Sequence, residues 1–268
     1  MRRRLDTELV RRGLAESREL AQSAIADGRV RVRGSVADKA ARQVDDSDPV
    51  IITGPGPRFV SRGGEKLDAA LNRFAIDVEG RVALDAGAST GGFTDCLIQR
   101  GAQRVICVDV GHAQLHERMR RHPQVENHER INVRTLRPVD LDNRSFDLIV
   151  GDLSFISLRS VAVALAGMAT PVADLVLLVK PQFEATRAEV GKGRGVVRDS
   201  AVWQRALNGV VVAFGQVGAT MMGAMASPLT GADGNVEFLV HLRVSEGGGG
   251  LECAETMVAA ALAEVPLP

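Results

Sequence analysis

Four charged side chains occupy positions where a buried core would normally exclude them. They are Lys66 in VSRGGEKL, Asp152 at the end of FDLIVGD, Lys180 at the end of DLVLLVK, and Glu237 at the start of VEFLV. Ligands of open parallel sheets bind at the carboxyl ends of the strands, so Asp152 and Lys180 should face one crevice. A lysine placed there can take a proton or hold an oxygen, and nearby carboxylates affect its charge. Any one of the four, taken alone, is equally compatible with a strand-end residue pointing into water.

A glycine-rich loop follows the first apolar strand of the same region. In VALDAGASTGGFTDCL (82–97) a strand ends at Asp85, and a loop and a helix follow. Glycines let the backbone approach a ligand, but the loop matches neither the dinucleotide motif GxGxxG nor the triphosphate motif GxxxxGK[ST]. Asp109 ends the second strand, where an acid can accept hydrogen bonds from ribose hydroxyls. Asn132 ends a predicted third strand. It either contacts the adenine edge of a ligand or has only a structural role in a turn.

The elements that must position these residues alternate between strands and helices. Near-continuous apolar runs are separated by helix-length segments, which predicts a parallel sheet covered on both faces. These runs are residues 82–86, 104–110, 146–152 and 174–180. MGAMASP (222–228) and VEFLVHLR (236–243) predict an antiparallel edge hairpin, and GGGG at 247–250 precedes a last helix near 252–264. The predicted fold class is therefore α/β, with a Rossmann-like sheet that has an antiparallel edge strand.

The N-terminal segment is basic, although the whole chain of 268 residues balances 33 Lys and Arg against 33 Asp and Glu. Residues 1–42 hold 11 Arg and Lys against 6 Asp and Glu. Leu5 and Leu9 predict a first helix, Ser17 can cap a second one, and Val30 and Val32 alternate with arginines on a strand. Clustered guanidiniums suit phosphate binding, although a solvated charged face is the common alternative. We predict a small α/β RNA-binding module over residues 1–53, a linker over 54–60, and a second domain over 61–268.

Composition makes several other classes of protein improbable. The three cysteines form no CxxC pair, which argues against a disulfide scaffold or a cysteine-rich zinc site. His112 and His116 lie four residues apart on a predicted helix, but no third ligand accompanies them, so we expect no metal. No apolar segment of a secretory signal follows the first residues. The longest apolar run, Val210–Ala226, contains three glycines and is shorter than the roughly 20 residues of a spanning helix. We therefore expect a cytoplasmic protein without a membrane partner.

The motifs together resemble known families. The pattern D-x-G-x-x-x-G-G followed by a strand-end acid resembles class I S-adenosylmethionine-dependent methyltransferases. Lys, Asp, Lys and Glu in this order resemble the FtsJ-type ribose 2′-O-methyltransferases. Residues 3–52 resemble the ribosomal-protein-type RNA-binding module with an alpha-L motif. Because VSRGGEKL, DAGASTGGFT, DLSFIS, LVKPQFE and SPLTGADGNVEF are all present, nearly the whole chain is similar to the TlyA (haemolysin A) family.

The resemblance implies S-adenosyl-L-methionine as the cofactor and ribosomal RNA or a ribosomal subunit as the partner. The reaction it implies is 2′-O-methylation of ribose, with cytidine in one or both subunit RNAs as the expected target. The implied catalytic residues are Lys66, Asp152, Lys180 and Glu237. The implied cofactor-binding residues are Asp85, Gly87, Ser89, Thr90, Gly91, Gly92, Phe93, Asp109, Asn132 and Asp152. The expected RNA-binding residues are Arg3, Arg4, Arg18, Arg31, Arg62, Lys192 and Arg194.

Several alternatives stay open at this point. DLSF departs from the DPPY tetrad of amino-group methyltransferases, whose aromatic residue stacks the target base, and the chain has no Tyr. A membrane-active haemolysin and a non-catalytic RNA-binding factor are the two competing functions. Lys180 acts either as a base or only as a group that orients the hydroxyl. The segment GKGRGVVRD (191–199) is either a flexible basic lid that orders against RNA or an idle surface loop.

Overall fold

The computed structural model describes residues 2–15, 17–54, 56–192, 195–231, 233–244 and 251–265. Two compact units divide the chain, Met1–Ser61 and Arg62–Pro268. Each unit has a hydrophobic core of its own, as expected for parts of a chain that fold around separate centres.

The first unit packs two helices against short strands. Its helices are α1 (Leu5–Arg11) and α2 (Arg18–Ala26); its strands are β1 (Arg3–Arg4), β2 (Val30–Val32), β3 (Ser35–Val36), β4 (Gln43–Val44) and β5 (Val50–Ile52). The strands form a three-stranded antiparallel sheet in the order β3-β2-β5 and a separate β1-β4 pair. The predicted cap of α2 is confirmed, because the Ser17 side chain accepts a hydrogen bond from the Leu20 N–H at 3.2 Å. The predicted alternation is confirmed as well: Val30 and Val32 are buried, and Arg31 between them is exposed.

The second unit is built on a seven-stranded sheet in the order β11-β12-β10-β9-β6-β7-β8. Its strands are β6 (Val82–Ala86), β7 (Arg104–Asp109), β8 (Val125–Glu129), β9 (Phe146–Gly151), β10 (Ala169–Val179), β11 (Ala219–Ala226) and β12 (Phe238–Val244). Strands β6 to β10 run parallel, and β12 pairs antiparallel with both β10 and β11. The α/β class, the parallel sheet and the antiparallel hairpin at its edge are therefore confirmed.

Helices and short 3₁₀ turns connect these strands. The helices are α3 (Gly63–Arg73), α4 (Gly92–Gln99), α5 (Glu117–Arg120), α6 (Ala162–Gly167), α7 (Pro181–Glu184), α8 (Arg187–Lys192), α9 (Ser200–Gly215) and α10 (Leu251–Ala263). The 3₁₀ turns are Val133–Thr135, Pro138–Leu141 and Leu158–Ser160. The apolar run Val210–Ala226 is the end of α9, a turn and β11. In the described parts of the chain, no helix has the length and apolar character needed to cross a membrane.

The strand order creates a crevice at one edge of the sheet. From the central strand β6 the chain builds β7 and β8 on one side, then crosses to build β9 and β10 on the other. At such a reversal the loops leaving the two central strands diverge and open a ligand site at their carboxyl ends. The glycine-rich loop leaves β6 and Asp152 follows β9, so both lie at this point of the sheet.

Two local predictions were wrong. His112 and His116 do not share a helix, because α5 begins only at Glu117 and His116 caps it. Asn132 does not end a strand: β8 ends at Glu129, and the Asn132 side chain caps the following 3₁₀ turn. Residues 193 and 194 of the predicted lid segment 191–199 lie outside the described residues; within that segment, Val197 is buried and its N–H donates to Asn235 Oδ1 at 2.9 Å.

Candidate active site

The carboxyl ends of four neighbouring strands bring the predicted residues together. Gly87 follows β6, Asp109 ends β7, Asp152 follows β9 and Lys180 follows β10. The Asp152 N–H donates to the carbonyl of Ala86 at 3.1 Å, which ties the start of the glycine loop to the next strand. A Cβ at Gly87 would lie only 2.9 Å from the carbonyl oxygen of Asp152. Glycine is therefore required at this position by a close backbone approach, in addition to its φ of +85°.

Asp109 holds the glycine loop in place. Its Oδ2 accepts the N–H of Ser89 at 2.8 Å, and its Oδ1 accepts the N–H of Gly111 at 2.6 Å. Each carboxylate oxygen has two lone pairs, so Asp109 keeps acceptor capacity for a hydroxyl of a ligand. Ser89 is exposed, and Gly87 and Thr90 are half-buried, so these residues form the open edge of the loop.

The other loop residues face the protein. Gly92 and Phe93 are buried at the start of α4. A Cβ at Gly91 would lie 2.8 Å from Leu115 Cδ1 and 3.2 Å from Met119 Cγ. A side chain at Gly91 would therefore disturb packing against Leu115 and Met119, and its substitution is not a selective test of ligand binding.

Asp85 lies beneath the loop as a buried acid. Its Oδ2 accepts the hydroxyl of Thr94 at 2.6 Å, whereas its Oδ1 has no hydrogen-bond partner among the residues described. Burial, together with the nearby carboxylates of Asp152 and Asp109, raises the pKa of Asp85 to about 7. A buried carboxyl with an unused oxygen favours a ligand that carries positive charge, and S-adenosylmethionine, with its sulfonium and ammonium groups, fits that requirement.

The raised pKa predicts a pH-dependent stability that Asp85→Asn should remove. Between about pH 4 and pH 7 the folded protein retains a proton on Asp85 that the unfolded chain has lost. The free energy of unfolding should therefore fall as pH rises through this window, by at most about 1.4 kcal/mol per pH unit. Urea unfolding at several pH values should show this slope in the parent relative to Asp85→Asn. If the free energies of unfolding of the parent and Asp85→Asn differ by the same amount at every pH, the raised pKa of Asp85 is contradicted.

The four charged residues form two separate ion pairs. Lys180 Nζ lies 2.5 Å from Asp152 Oδ1, and the two side chains are 11% and 25% exposed. Lys66, on α3, lies 2.5 Å from Glu237 Oε2, and these side chains are only 8% and 3% exposed. Glu237 directly precedes β12 rather than starting it. The Lys180–Asp152 pair is thus the one that a substrate can reach from solvent.

Sequence reasoning missed the residues that surround Lys180. The Lys180 ammonium donates a hydrogen bond to Ser154 Oγ at 2.9 Å. Phe155 is 92% exposed with a φ of +63°, and its ring centroid lies 5.3 Å from that of Phe183. The available signal was an aromatic residue three positions after the strand-end Asp152 in DLSFIS, a motif interpreted above as a family motif and as a departure from DPPY.

Most predicted RNA-binding arginines of the first unit are held by acids. Arg4 and Arg18 each lie 2.9 Å from Oδ2 of the fully buried Asp6, and Arg3 lies 2.6 Å from Asp46 Oδ1. Burial pushes the pKa of Asp6 up, but hydrogen bonds from Arg4, Gln22 and Arg18 and from the Thr7 N–H bring it well below its usual value. Arg4 and Arg18 therefore also stabilise the module.

The remaining predicted RNA-binding residues differ in accessibility. Arg31 is exposed, and its guanidinium donates to the Gly34 carbonyl at 3.1 Å. Arg62 is half-buried at the N-cap of α3, and Lys192 ends α8. Arg194 lies outside the described residues.

A basic groove that the sequence analysis did not find lies in the second unit. It has a volume of about 880 Å³ and lies between the two 3₁₀ turns after β8 and helix α6. Arg130 and Arg134 line it and are exposed, whereas the guanidinium of Arg137 lies 3.4 Å from Asp140 Oδ1. Asn132 lines the same groove. This groove presents positive charge on the unit that carries Lys180.

Both units match known protein families. Residues 59–244 match the FtsJ-like methyltransferase family, and residues 3–50 match the S4 domain. The chain is 48% identical over 243 residues to the 16S/23S rRNA (cytidine-2'-O)-methyltransferase TlyA of Mycobacterium tuberculosis, covering 90% of each chain. It is 43% identical over 253 residues to a candidate rRNA methyltransferase of Bacillus subtilis, YqxC, covering 94% of this chain and 90% of that one. A solved structure of a candidate hemolysin from Streptococcus thermophilus matches with a TM-score of 0.77 at 37% identity, covering 98% of this chain and 96% of that one.

Proposed function

Since this chain belongs to the FtsJ-like methyltransferase family, we propose that it transfers a methyl group from S-adenosylmethionine to a ribose 2′-oxygen of ribosomal RNA. The observation that carries the proposal is the accessible Lys180–Asp152 pair, which lies at the carboxyl ends of adjacent strands beside the glycine loop. The S4 domain over residues 3–50 supports RNA as the substrate.

When bound, S-adenosylmethionine supplies a methyl group on a positively charged sulfur that leaves as a neutral thioether. Because the leaving group is good, most of the rate should come from positioning the hydroxyl. On this chain, the open edge of the loop at Gly87, Ser89 and Thr90 would bind the cofactor, and Asp109 would accept hydrogen bonds from its ribose. The positive charge of the bound cofactor would favour the ionised form of Asp85, whose Oδ1 has no hydrogen-bond partner among the described residues.

Lys180 is the residue that acts on the substrate hydroxyl in this proposal. Its side chain is 11% exposed and contacts the exposed Ser154, and the Asp152 carboxylate 2.5 Å away balances its charge. Lys180 either accepts the hydroxyl proton or holds the oxygen by a hydrogen bond, and both roles need an N–H or a lone pair directed at that oxygen. The exposed ring of Phe155, which follows Ser154 in the chain and lies against the ring of Phe183, offers a stacking face for an unpaired base.

We propose that the specific target is the ribose of a cytidine in the RNA of one or both ribosomal subunits. Purified protein should transfer labelled methyl from S-adenosylmethionine to ribosomal RNA, and ribose-methylation mapping should locate it on a cytidine 2′-oxygen.

Asp109→Asn should weaken cofactor binding about tenfold or more, because it removes a charge that both orders the loop and accepts hydrogen bonds. The matched control is Asp147→Asn on the exposed side of β9.

Two outcomes would contradict this function. Calorimetric titration that shows no binding of S-adenosylmethionine would favour a non-catalytic RNA-binding factor. Leakage of liposomes caused by the pure protein, with no methyl transfer to either subunit RNA, would favour the haemolysin that the Streptococcus thermophilus relative is named for.

RNA binding by the first unit is best tested at Arg31, because Arg4 and Arg18 also stabilise the buried Asp6. Arg31→Gln should weaken RNA binding and reduce the slope of log affinity against log salt by about 0.7–0.9, the value for one lost phosphate contact. Cofactor affinity should not change. The control is Arg33→Gln, since Asp48 already accepts a hydrogen bond from Arg33 Nε at 2.7 Å. Equal salt slopes for the parent and Arg31→Gln would exclude a phosphate contact at Arg31.

A further inference from the structure

The hydroxyl of Ser154 makes a specific contact with Lys180. Lys180 Nζ donates to Ser154 Oγ at 2.9 Å and lies 2.5 Å from Asp152 Oδ1. A lysine ammonium has three N–H groups in a tetrahedral arrangement. Among the described residues Asp152 Oδ1 accepts no hydrogen bond and contributes only its charge, so the N–H given to Ser154 fixes the direction in which the other N–H groups of Lys180 point.

That direction matters because the Lys180 ammonium is otherwise free to rotate about its last bond. The Lys180 side chain is only 11% exposed, so few waters are available to replace a missing protein partner. Ser154 itself is exposed, so its hydroxyl lies at the open side of the site where a substrate would enter. Loss of this hydroxyl would leave Lys180 anchored by Asp152 alone.

The loop that presents Ser154 is tied to the Lys180 segment at a second point. Glu184 ends α7, the short helix that begins directly after Lys180. Its buried carboxylate accepts the Leu158 N–H at 2.6 Å, the Ser157 hydroxyl at 2.5 Å and the Arg159 Nε at 3.0 Å. Loop 152–157 is therefore held against α7 at its far end, which fixes where Ser154 lies relative to Lys180.

On the basis of the proposed methyl transfer, we propose that Ser154 is a positioning residue that aims the free N–H or lone pair of Lys180 at the substrate 2′-oxygen. It acts through Lys180 and has no proton-transfer role of its own. A threonine at this position keeps the hydroxyl and can keep the contact, whereas an alanine cannot.

The test compares Ser154→Ala, Ser154→Thr and Ser157→Ala in methyl transfer to ribosomal RNA. Ser154→Ala should lower kcat about tenfold or more, while KM for RNA and for cofactor stay within about twofold, because only the orientation of the reacting groups changes. Ser154→Thr should recover kcat to within about threefold of the parent. Ser157→Ala removes a hydroxyl of the same loop that bonds Glu184 rather than Lys180, and it should lower kcat less than Ser154→Ala does.

Three results would overturn the positioning role while the parent enzyme is active. They are a Ser154→Ala kcat within twofold of the parent, a rise in the KM for RNA at unchanged kcat, which would make Ser154 an RNA contact, and failure of Ser154→Thr to recover kcat. Unfolding curves establish that each variant is folded. An inactive parent protein would instead contradict the proposed function itself, so the two failures are distinguishable.

Discussion

Lys180→Met should lose methyl transfer by about 10²- to 10⁴-fold, the usual contribution of a positioned proton-transfer group. Methionine preserves the length and apolar stem of lysine but can neither donate to an oxygen nor accept its proton. The Asp152 side chain is 25% exposed, but its Oδ1, the oxygen that faces the ammonium, is buried. We therefore expect the free energy of unfolding to fall by about 1–3 kcal/mol, the cost of a buried acceptor that has lost its partner.

The measurements are single-turnover methyl transfer, calorimetric binding of S-adenosylmethionine and urea unfolding. Cofactor binding should persist, because the loop contacts of Asp109 do not involve Lys180. Lys180→Arg keeps the charge but has a different donor geometry and does not deprotonate, and we expect it to be nearly inactive as well. A folded Lys180→Met protein that retains a tenth of the parent rate would refute the assignment and make Lys66 the next candidate.

Breaking the Lys66–Glu237 pair should have the largest effect on stability. Both side chains are almost fully buried, and the two atoms lie 2.5 Å apart. Lys66→Met leaves an uncompensated buried carboxylate, and Glu237→Gln leaves an uncompensated buried ammonium. Each single change should therefore lower the free energy of unfolding by about 3–5 kcal/mol.

The double variant Lys66→Met/Glu237→Leu separates stability from function at this pair. Replacing both charges with apolar groups of similar volume removes the unpaired charge, so stability should return to within about 1–2 kcal/mol of the parent. If the pair serves the reaction, as the family resemblance implies, the folded double variant remains inactive. Activity near that of the parent in a folded double variant would show that Lys66 and Glu237 only stabilise the fold. Additive losses of stability in Lys66→Met, Glu237→Leu and the double variant would show that the pair is not coupled.

Much of the fold follows from local features of the sequence. The apolar runs at 82–86, 104–110, 146–152 and 174–180 are long enough for buried strands, and each coincides with a strand of the parallel sheet. Ser17 caps α2 because its side chain reaches an N–H only three residues ahead. Such predictions succeed because strand periodicity, caps and turns depend on residues that are close together in the chain.

The membership of the candidate site was also visible in the sequence. Parallel strands end at the same edge, so residues that follow strands meet there whatever their separation along the chain. This rule brings Gly87, Asp109, Asp152 and Lys180 to one crevice, and it explains why Asp152 and Lys180 face each other there. Once the strands are recognised, their order along the chain is enough to predict which residues meet at this crevice.

Partner choice and burial were decided only by the tertiary structure. Lys66 pairs with Glu237, 171 residues away, and this removes both from water while the Lys180–Asp152 pair stays accessible. Arg4 and Arg18 converge on Asp6, so charges that suggested an RNA surface also hold the module together. Ser154, Phe155 and Glu184 gain their importance from contacts across the crevice. Side-chain direction and solvent access depend on the packing of distant elements, which the local spacing of residues does not encode.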